Sequence, residues 1–402
     1  MAGAATTMTV VDGVLKEVYE ARIRDQLNSE VITLRRIEKT SEGVSHDVGG
    51  KYVAFPIRTR RNHGIGARNE NEPLPDPRSQ KYAAARINLA YLYGAISMTG
   101  QTMELADNNT QAFVSVMDAE IEGLRQGLAK DTNRQVYGSS DGVLAVVTAD
   151  GANTVTVAST QYLEVGMVID IWDPTFATER ADSRDITAIA GLVVTYSGAD
   201  ATASVNDVVT RANSQQREKI GFKQVIAASG TLYNISPASE PVWASTVNSN
   251  AGVNRALSEG IMIKQIDDIR TAGGGVPTVI FTSLGVRRAY FQLLSQQRRY
   301  NDTVEFAGGF KGLKFETDAG DTPIISDYDA PPNKMWFVNE KQIKLYEEKD
   351  WSFMNRDGSN WQRVIQSTGN YDAYSAYLFK YAQLGTHQRN SHGLLSDLAE
   401  AS

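Results

Sequence analysis

Residues 51–98 read KYVAFPIRTRRNHGIGARNENEPLPDPRSQKYAAARINLAYLYGAISM. Two strand-like runs flank a middle that is rich in Gly, Pro, Asn and charge, and this arrangement predicts a long hairpin from about Tyr52 to Leu89. Two strands alone are marginally stable in water, and a long irregular loop in a compact domain is usually functional. We therefore expect the hairpin to dock on something outside its own domain.

The charged side chains of the hairpin indicate what kind of partner it meets. Arginines follow the first strand, whereas carboxylates lie near the tip, in NENEPLPDP. A nucleic-acid patch and a solvated loop are the alternatives, but carboxylates repel phosphate, and mixed charges favour docking on a protein. The three prolines stiffen the tip and remove backbone donors. The contact residues that we expect are Arg58, Arg60, Arg61, Arg68, Glu70, Glu72, Pro73, Pro75 and Asp76.

The composition excludes several classes of protein. The 402 residues include 40 Lys plus Arg and 47 Asp plus Glu, so the formal net charge is −7 and any contact with nucleic acid is local or weak. Cysteine is absent, which excludes disulfides, thiolate zinc sites, iron–sulfur clusters and Cys nucleophiles. No apolar stretch is long enough to span a membrane, and the opening MAGAATTMTV does not resemble a signal peptide. We expect synthesis in the cytoplasm.

The first half of the chain alternates between helical and strand-like periodicity. Apolar positions recur at helical spacing from Val11 to Lys39, and again from about Asn108 to Tyr137. Short alternating runs with Gly, Asp and Asn between them then predict a small barrel or sandwich at about Ser139 to Ala212. Because no Lys or Arg occurs between Gln135 and Glu179, we interpret this segment as an inserted module.

The second half predicts an α+β arrangement. A helix is expected from Val253 to Arg270, followed by the strand TVIFT and the helix LGVRRAYFQLLSQQ, with Ser283 as its cap. The tail from Pro323 is rich in β-strands and ends in YDAYSAYLFKYAQL, which predicts a long strand with one aromatic face.

Motifs of catalysis and metal binding are weak. Residues Gly138–Gly142 have the letters of a G-x-S-x-G nucleophile elbow, but a helix precedes Ser140 and a strand follows it, the reverse of the required order. The four histidines stand singly, which argues against a metal site. Gly64 and Gly66 lack the third glycine and the helix of a dinucleotide cradle. We therefore expect no enzyme activity, cofactor or metal.

The order of these pieces resembles the major capsid proteins of tailed double-stranded DNA bacteriophages, whose Hong Kong-type fold is shared with encapsulins. The resemblance rests on the helical arm, on the extended loop followed by the spine helix, and on TVIFTSLGVRRAYFQLLSQQRRY, which looks like part of the axial domain. It implies a phage major capsid fold with an inserted small β-barrel-like module. The implied segments are an N-terminal arm 1–48, extended loop hairpin 49–92, peripheral domain with spine helix 93–138, inserted β module 139–213, axial domain 214–329, peripheral domain sheet 330–390 and C-terminal tail 391–402.

The implied function is that of a structural subunit. Copies would assemble into pentamers and hexamers of an icosahedral phage head around double-stranded DNA, in the virion, after assembly in the host cytoplasm. The implied partners are other copies of the chain, scaffolding, decoration and portal proteins, and DNA through weak non-specific contact, with no membrane. The alternatives are an encapsulin-like cargo shell and a serine hydrolase that uses Ser140. Some relatives cross-link a loop Lys to an Asn of a neighbour; Lys81, with Asn355 or Asn360, offers the residue types but no matching motif.

Overall fold

The computed structural model describes most of the chain. The N-terminal arm lies largely outside the described residues, and within them the helix predicted to reach Lys39 ends earlier. Helix α1 (Thr33–Arg36) is followed by strand β1 (Glu38–Thr40), because Ile37 is buried and takes an extended backbone conformation. The described residues are 31–42, 44, 52–101, 110–273, 275–298, 313–317, 320–348, 350–355, 359–366 and 369–401.

The predicted hairpin and spine helix are confirmed. Strands β2 (Tyr52–Arg60) and β3 (Lys81–Asn88) form an antiparallel two-stranded sheet. Strand β4 (Ala90–Thr99) then leads towards helix α2 (Thr110–Tyr137), whose expected start at about Asn108 lies outside the described residues. Helix α2 packs closely on β4: a Cβ at Gly94 would lie 2.7 Å from Leu128 Cδ1. Glycine at this position allows the helix to approach the strand.

The alternating runs of the predicted module form a closed barrel of six strands. The strands are β5 (Val143–Gly151), β6 (Thr154–Val157), β7 (Val168–Trp172), β8 (Glu179–Ala190), β9 (Val193–Tyr196) and β10 (Val208–Arg211). Their order is β10-β5-β6-β9-β8-β7, and the barrel core is formed by its own apolar residues, among them Val155, Ile171 and Val209, each fully buried. Closure leaves no unpaired sheet edge.

Two open sheets form the rest of the fold. The elements after the barrel are α3 (Phe222–Val225), β11 (Thr246–Asn248), α4 (Glu259–Gly273), β12 (Val279–Thr282), α5 (Leu284–Arg298), β13 (Lys314–Thr317), β14 (Gly320–Ser326), β15 (Met335–Val338), β16 (Ile343–Glu347), β17 (Ser352–Phe353), β18 (Gln362–Gln366), β19 (Gly369–Thr386) and β20 (Gly393–Leu395). One sheet has the order β1-β16-β19-β17, with β18 and β4 also paired to β19, and the other sheet has the order β11-β20-β15-β12-β14-β13.

The observed N-terminus differs from the predicted one in helix α4 and agrees with it in helix α5. Helix α4 begins at Glu259 rather than Val253, and Ser258 Oγ accepts a hydrogen bond from the backbone N–H of Ile261. Residues 253–258 instead form a connecting segment, in which Arg255 N donates to Asp397 O. The expected cap of α5 is confirmed, since Ser283 Oγ accepts from the N–H of Val286 at 3.3 Å. None of the helices in the described segments has the length and apolarity that a membrane span requires.

The main core lies where the hairpin, α2, α3 and both sheets meet. Its centre is aromatic, with Phe222 6.0 Å from both Phe281 and Trp336 between ring centroids. Arg389 is also buried here. Among the described residues its guanidinium group donates hydrogen bonds to backbone carbonyls alone, those of Gln224, Val225, Ser229, Gly230 and Trp243. The hydrogen bonds of this one side chain thus hold the backbone of residues 224–243 in its conformation.

Strand β19 confirms the long strand with an aromatic face. Ala376, Leu378 and Ala382 are buried on one side. On the other side, Tyr377 is exposed and Tyr381 packs edge-on against Tyr91 of β4 at 4.9 Å. The alternation of the sequence therefore separates a buried aliphatic face from a partly exposed aromatic face.

Candidate assembly surfaces

The hairpin stem, β2 and β3, has two chemically different faces. Its inner face packs on the subunit's own core, where Val53, Ala85 and Ile87 are almost completely buried. Its outer face carries arginine and tyrosine side chains that remain exposed: Tyr52, Arg58, Arg60, Tyr82 and Arg86. The expectation that the whole hairpin lies off its own domain is therefore wrong for the stem, because alternate residues of both strands bury an apolar face in that domain.

Several contacts fix the stem to the body of the subunit. The backbone N–H of Arg86 donates to the carbonyl of Tyr233 at 3.1 Å, and the side chain of Gln383 donates to the carbonyl of Asn88, also at 3.1 Å. Lys81 forms an ion pair with Glu240, and this contact is the largest cause of the lowered pKa of Glu240. Lys81 is half-exposed and paired with Glu240 of its own subunit, whereas amide formation requires a buried lysine.

The tip, residues 61–80, is held in shape by its own hydrogen bonds. Glu72 accepts bonds at 3.0 Å from both the backbone N–H and the side-chain amide of Asn69, and these bonds lower the pKa of Glu72. Arg68 folds back onto the carbonyl of Pro73 at 2.8 Å. A Cβ at Gly64 would lie 3.0 Å from the carbonyl oxygen of Asp76, so the two limbs of the tip touch there through their backbones.

The structure separates the predicted contact residues into two groups. Arg68, Glu72 and Pro73 form hydrogen bonds within the tip and shape it. The remaining arginines and carboxylates form no ion pair with one another within the described residues, although the charge of Arg60 helps to lower the pKa of Glu240. These are Arg58, Arg60, Arg61, Glu70 and Asp76, all exposed, whereas Pro75 is half-buried.

Two apolar side chains of the tip were missed by the sequence reasoning. Ile65 and Leu74 are each 83% exposed, more than any other large apolar side chain among the described residues. Leu74 lies between two prolines in an acidic segment. An apolar side chain that is exposed in a stiff polar loop, with little to pack on among the described residues, is a signal of partner binding, and the charge pattern of the sequence does not reveal it.

A groove of about 810 Å³ opens between the hairpin base, helix α2 and the segment that leaves the barrel. Its walls are apolar at Leu89, Leu92 and Leu128, and aromatic at Tyr91 and Tyr93. Its charged residues are Arg86, Asp131, Arg211, Arg217 and Glu218. The groove is therefore lined by both apolar and charged side chains.

The acids of the groove are already neutralised. The Arg134 side chain contacts Asp131 at 3.1 Å and Glu218 at 2.5 Å, and Arg211 contacts Asp131 at 3.3 Å. Burial alone would raise the pKa of Asp131, but Arg134 and Arg211 outweigh it and lower the pKa to about 2. Burial raises the pKa of Glu218. Arg86 and Arg217 are exposed and each has a contact within the subunit: the Arg86 guanidinium lies over the Tyr52 ring at 5.3 Å, and the Arg217 side chain donates to the carbonyl of Asn213 at 2.9 Å.

A buried polar cluster joins the arm to the spine helix. Thr33 donates from both its backbone N–H and its hydroxyl to Asp327 Oδ2, at 3.1 and 2.6 Å. Asn133 of α2 donates to Asp327 and to Asp329, at 3.0 and 2.7 Å. The barrel reaches the same turn, since Tyr162 donates to the carbonyl of Asp329 at 2.7 Å. The arm, helix α2 and the barrel are thereby tied to one turn.

The region of Ser140 does not form a nucleophile site in the described structure. The Ser140 hydroxyl donates to the side-chain oxygen of Gln224 at 3.1 Å. His387 bonds to Tyr346, and His392 accepts from the N–H of Asn339 and contacts Thr386, so neither activates this serine. His46 lies outside the described residues.

A group of three carboxylates, Asp170, Glu179 and Asp182, lies on the barrel. Asp170 is buried and accepts hydrogen bonds from the N–H groups of Ser183 and Asn213 at 2.8 and 2.7 Å. These bonds give Asp170 a role in holding strand β8 and the barrel exit.

The fold is similar to solved capsid structures. A chain of the cyanophage A-1(L) capsid asymmetric unit is 15% identical at a TM-score of 0.61, over 98% of this chain and 99% of that chain. The capsid of an empty GTA particle gives 10% identity and a TM-score of 0.52 over 98% and 100%. The capsid of the Myoviridae phage XM1 gives 9% and 0.50 over 99% and 100%. At these identities the likeness establishes the fold.

The family is shown by a separate match. No curated protein sequence is significantly similar to the chain. Residues 127–377, however, which include the C-terminal part of α2, the whole barrel and most of both open sheets, match the model of the SU10 major capsid protein. This match and the capsid fold agree with the architecture described above, and the chain therefore belongs to the SU10 major capsid protein family and is a structural subunit of a phage capsid.

Proposed function

We propose that copies of this subunit form pentamers and hexamers of a closed icosahedral head that encloses double-stranded DNA, and that the hairpin makes the contact between neighbouring subunits. The observation that carries this proposal is the exposed tip region. Ile65 and Leu74 are uncovered there, and within the described residues no ion pair occupies Arg58, Arg60, Arg61, Glu70 and Asp76. A subunit that leaves such a surface open to solvent gains stability when a neighbour covers it. Each contact is modest, and many of them make a strong shell.

We propose a division of the chain into segments that is consistent with this architecture. The arm is 1–48, the extended loop 49–92, the first part of the peripheral domain 93–138 and the inserted module 139–213. The axial domain, 214–329, carries α4 and α5, and the peripheral sheet, 330–390, carries β19. We assign the subunit no catalytic role, because Ser140 is bonded to an amide, and Ser140→Ala should leave assembly unchanged.

The proposed function as a capsid subunit also implies partners other than copies of the same chain. Scaffolding, decoration and portal proteins would act on the assembling or finished head, in the host cytoplasm before the virion is complete. With a net charge of −7, the chain suits weak, non-specific contact with packaged DNA. An encapsulin-like cargo shell is less well supported, since the matching family model describes major capsid proteins.

The test is the state of the purified chain. We expect closed particles or ring-shaped capsomers by electron microscopy, and a mass far above that of the 44.0 kDa monomer in analytical ultracentrifugation. A monomer at every salt and protein concentration would contradict the proposal. Particles from infected cells should contain DNA, whereas a protein cargo in place of DNA would favour the encapsulin-like alternative.

A further inference from the structure

We propose that the barrel binds one Ca²⁺ ion through Asp170, Glu179 and Asp182, with the hydroxyl of Thr210 as a further ligand. The four residues belong to three neighbouring strands, β8, β7 and β10. Binding of this ion would take place within one subunit and would not depend on assembly. It therefore goes beyond the proposed function and can be tested separately from it.

The three carboxylates have the spacing of a calcium site. One oxygen from each of Asp170, Glu179 and Asp182 lies within 4.8 Å of the other two. Calcium binds oxygen ligands at about 2.3–2.6 Å, so two ligands on opposite sides of one ion are about 4.6–5.2 Å apart. The three oxygens are therefore close enough together to share one ion.

The carboxylate cluster has no countercharge from the described part of the chain. None of its three members forms an ion pair there, and Arg180, which lies between Glu179 and Asp182 in the sequence, contacts Asp207 at 3.3 Å instead. Burial and the charges of Asp182 and Asp170 raise the pKa of Glu179, so the three carboxylates repel one another. A divalent cation would supply the charge that the cluster lacks.

Thr210 gives an independent indication of a ligand at the same place. It is completely buried, yet its hydroxyl has no hydrogen-bond partner among the described residues. A buried hydroxyl without a partner costs free energy, because it has lost the hydrogen bonds that water would make. An ion within reach of this oxygen would satisfy it.

The strand register places the Thr210 hydroxyl beside the carboxylate cluster. The Cα atom of Thr210 pairs with that of Asp170, and the next pair along these strands, Val209 with Ile171, lies in the barrel core. Because successive residues of a strand point to opposite faces, Thr210 and Asp170 both project from the outer face. Their Cβ atoms are about 4.5–5.5 Å apart in such a pair. The unpartnered hydroxyl and the buried carboxylate are thus direct neighbours.

The net charge of the chain is concentrated in the barrel. Residues 139–213 contain ten Asp plus Glu, three Arg and no Lys or His, so the formal charge of this segment is −7. Subtracting these residues from the totals of 47 acidic and 40 basic residues leaves 37 of each kind, so the rest of the chain is formally neutral. The barrel is therefore the part of the subunit that attracts cations.

The ligand types select a hard cation. Residues 139–213 contain no histidine and the chain has no cysteine, so the candidate ligands are all oxygens. Oxygen ligands suit Ca²⁺ and Mg²⁺, and Ca²⁺ tolerates irregular coordination by several protein groups, whereas Mg²⁺ retains most of its water. Four protein ligands on three strands favour Ca²⁺. The expected absence of a metal rested on the spacing of the histidines, which does not bear on a site of this kind.

An ion at this position would strengthen a centre that already holds the barrel together. Asp170 of β7 accepts hydrogen bonds from the backbone N–H groups of Ser183 in β8 and Asn213 at the barrel exit, at 2.8 and 2.7 Å. The ion would add the two carboxylates of β8 and the hydroxyl of β10 to this centre. We therefore expect Ca²⁺ to raise the melting temperature of the subunit, because it binds the folded barrel alone.

Calorimetric titration of the full chain with CaCl₂, after dialysis against EDTA, tests the site. We expect one Ca²⁺ ion to bind per chain. Glu179→Gln/Asp182→Asn removes two exposed carboxylates and should weaken binding by about tenfold or more. The matched control, Asp150→Asn/Glu164→Gln, removes two exposed carboxylates of the same barrel that lie outside the cluster and should leave the affinity within about twofold.

Trp172 allows a second measurement that depends on the position of the ion. Its Cα atom pairs with that of Glu179, and it lies two residues after Asp170 in β7, so its indole is on the same face as the cluster. Tb³⁺ replaces Ca²⁺ at oxygen sites and luminesces when a tryptophan nearby is excited. We expect this luminescence from the full chain, its loss when Ca²⁺ is added, and its loss in Trp172→Phe. Trp351→Phe, in the groove, should retain it.

Four results would overturn the inference. These are the absence of Ca²⁺ binding at millimolar concentration, equal affinity in the cluster variant and the matched control, Tb³⁺ luminescence that is unchanged in Trp172→Phe, and Mg²⁺ binding as tight as that of Ca²⁺. The two substituted carboxylates are exposed, so the cluster variant should keep the circular dichroism spectrum of the wild type. Trp172→Phe leaves every ligand in place, so the luminescence decides even if the cluster variant does not fold.

Discussion

The barrel and the hairpin are both made of β-strands, yet they differ in how far each region buries its own apolar residues and pairs its own strands. The barrel pairs every strand with two others of its own and buries its apolar residues among themselves. The hairpin has two strands, packs one face on the main core and leaves the other face and its tip in solvent. The barrel buries its apolar residues and pairs its strands by itself, whereas the hairpin is packed against the subunit only through the inner face of its stem. Substitutions in the two regions should therefore have different effects on folding and on assembly.

The largest effect is expected at the outer end of the stem. Arg60→Glu/Arg61→Glu places acids where we expect the carboxylates of a neighbour, at a cost on the order of several kcal/mol per subunit pair. Particle yield measured by electron microscopy should fall to near zero, while the unassembled subunit melts as the wild type does. Arg60→Lys/Arg61→Lys keeps both charges and should assemble. Normal particles from the Glu variant would contradict an electrostatic contact at this position.

The inner face of the stem should behave in the opposite way. Ile87 is completely buried, so Ile87→Ala should lower the free energy of unfolding of the unassembled subunit by about 2–5 kcal/mol. Ile65→Ala, at the exposed tip, removes the same atoms and should change that free energy by less than about 0.5 kcal/mol. Urea denaturation of both variants checks the difference. Equal losses would mean that the tip packs on its own subunit.

Acid should weaken the main body and spare the barrel. Burial lowers the pKa of His392 to about 3, and the barrel strands contain no histidine. Between pH 6.5 and pH 3 the unfolded chain binds a proton that the folded chain does not, so stability is lost as the pH falls, by about 2 kcal/mol between pH 7 and pH 5. His392→Gln should abolish this part of the pH dependence, as measured by denaturation at the two pH values.

A pH dependence of equal size in the wild type and His392→Gln would show that His392 does not cause it. The comparison of the two chains also removes the contribution of His387, whose pKa burial lowers as well.

The smallest effect is expected within the barrel. Residues 139–213 expressed alone should give a β-type circular dichroism spectrum and melt cooperatively, because the barrel core is its own. Ile171 is completely buried, and Ile171→Val should lower the stability of this fragment by about 0.5–1.5 kcal/mol without reducing the particle yield of the full chain. A random-coil spectrum of the fragment would show that the barrel depends on the rest of the subunit.

Local pattern and long-range contact explain which parts of the fold could be predicted. The barrel strands and the two faces of the stem follow from alternation, because each residue's side is decided by its immediate neighbours. The pairing of β1 with β16 could not be predicted, because it joins residues that are far apart in the sequence, such as Glu38 and Lys344. The same holds for Thr33 and Asp327, which are 294 positions apart. The periodicity of apolar residues in a local stretch of sequence gives no information about such long-range contacts.

The candidate site shows the same limit. The charged residues and prolines of the tip are visible in the sequence, but the exposure of Ile65 and Leu74 is not, because an apolar residue is normally assigned to a core. The groove could not be predicted either. It combines Arg86, Leu128 and Arg217, which belong to three separate segments.

The buried guanidinium of Arg389 has a consequence for when the subunit can mature during its synthesis. The carbonyl of Val225 that it binds is 164 positions earlier in the chain. At the usual rate of translation, the ribosome needs roughly 10–30 s to make that many residues. During this interval the 224–243 loop lacks the side chain that gathers its carbonyls, and the main body that supports the hairpin stem stays unfinished. The core around the 224–243 segment can therefore be completed only after the last part of the chain has been synthesised.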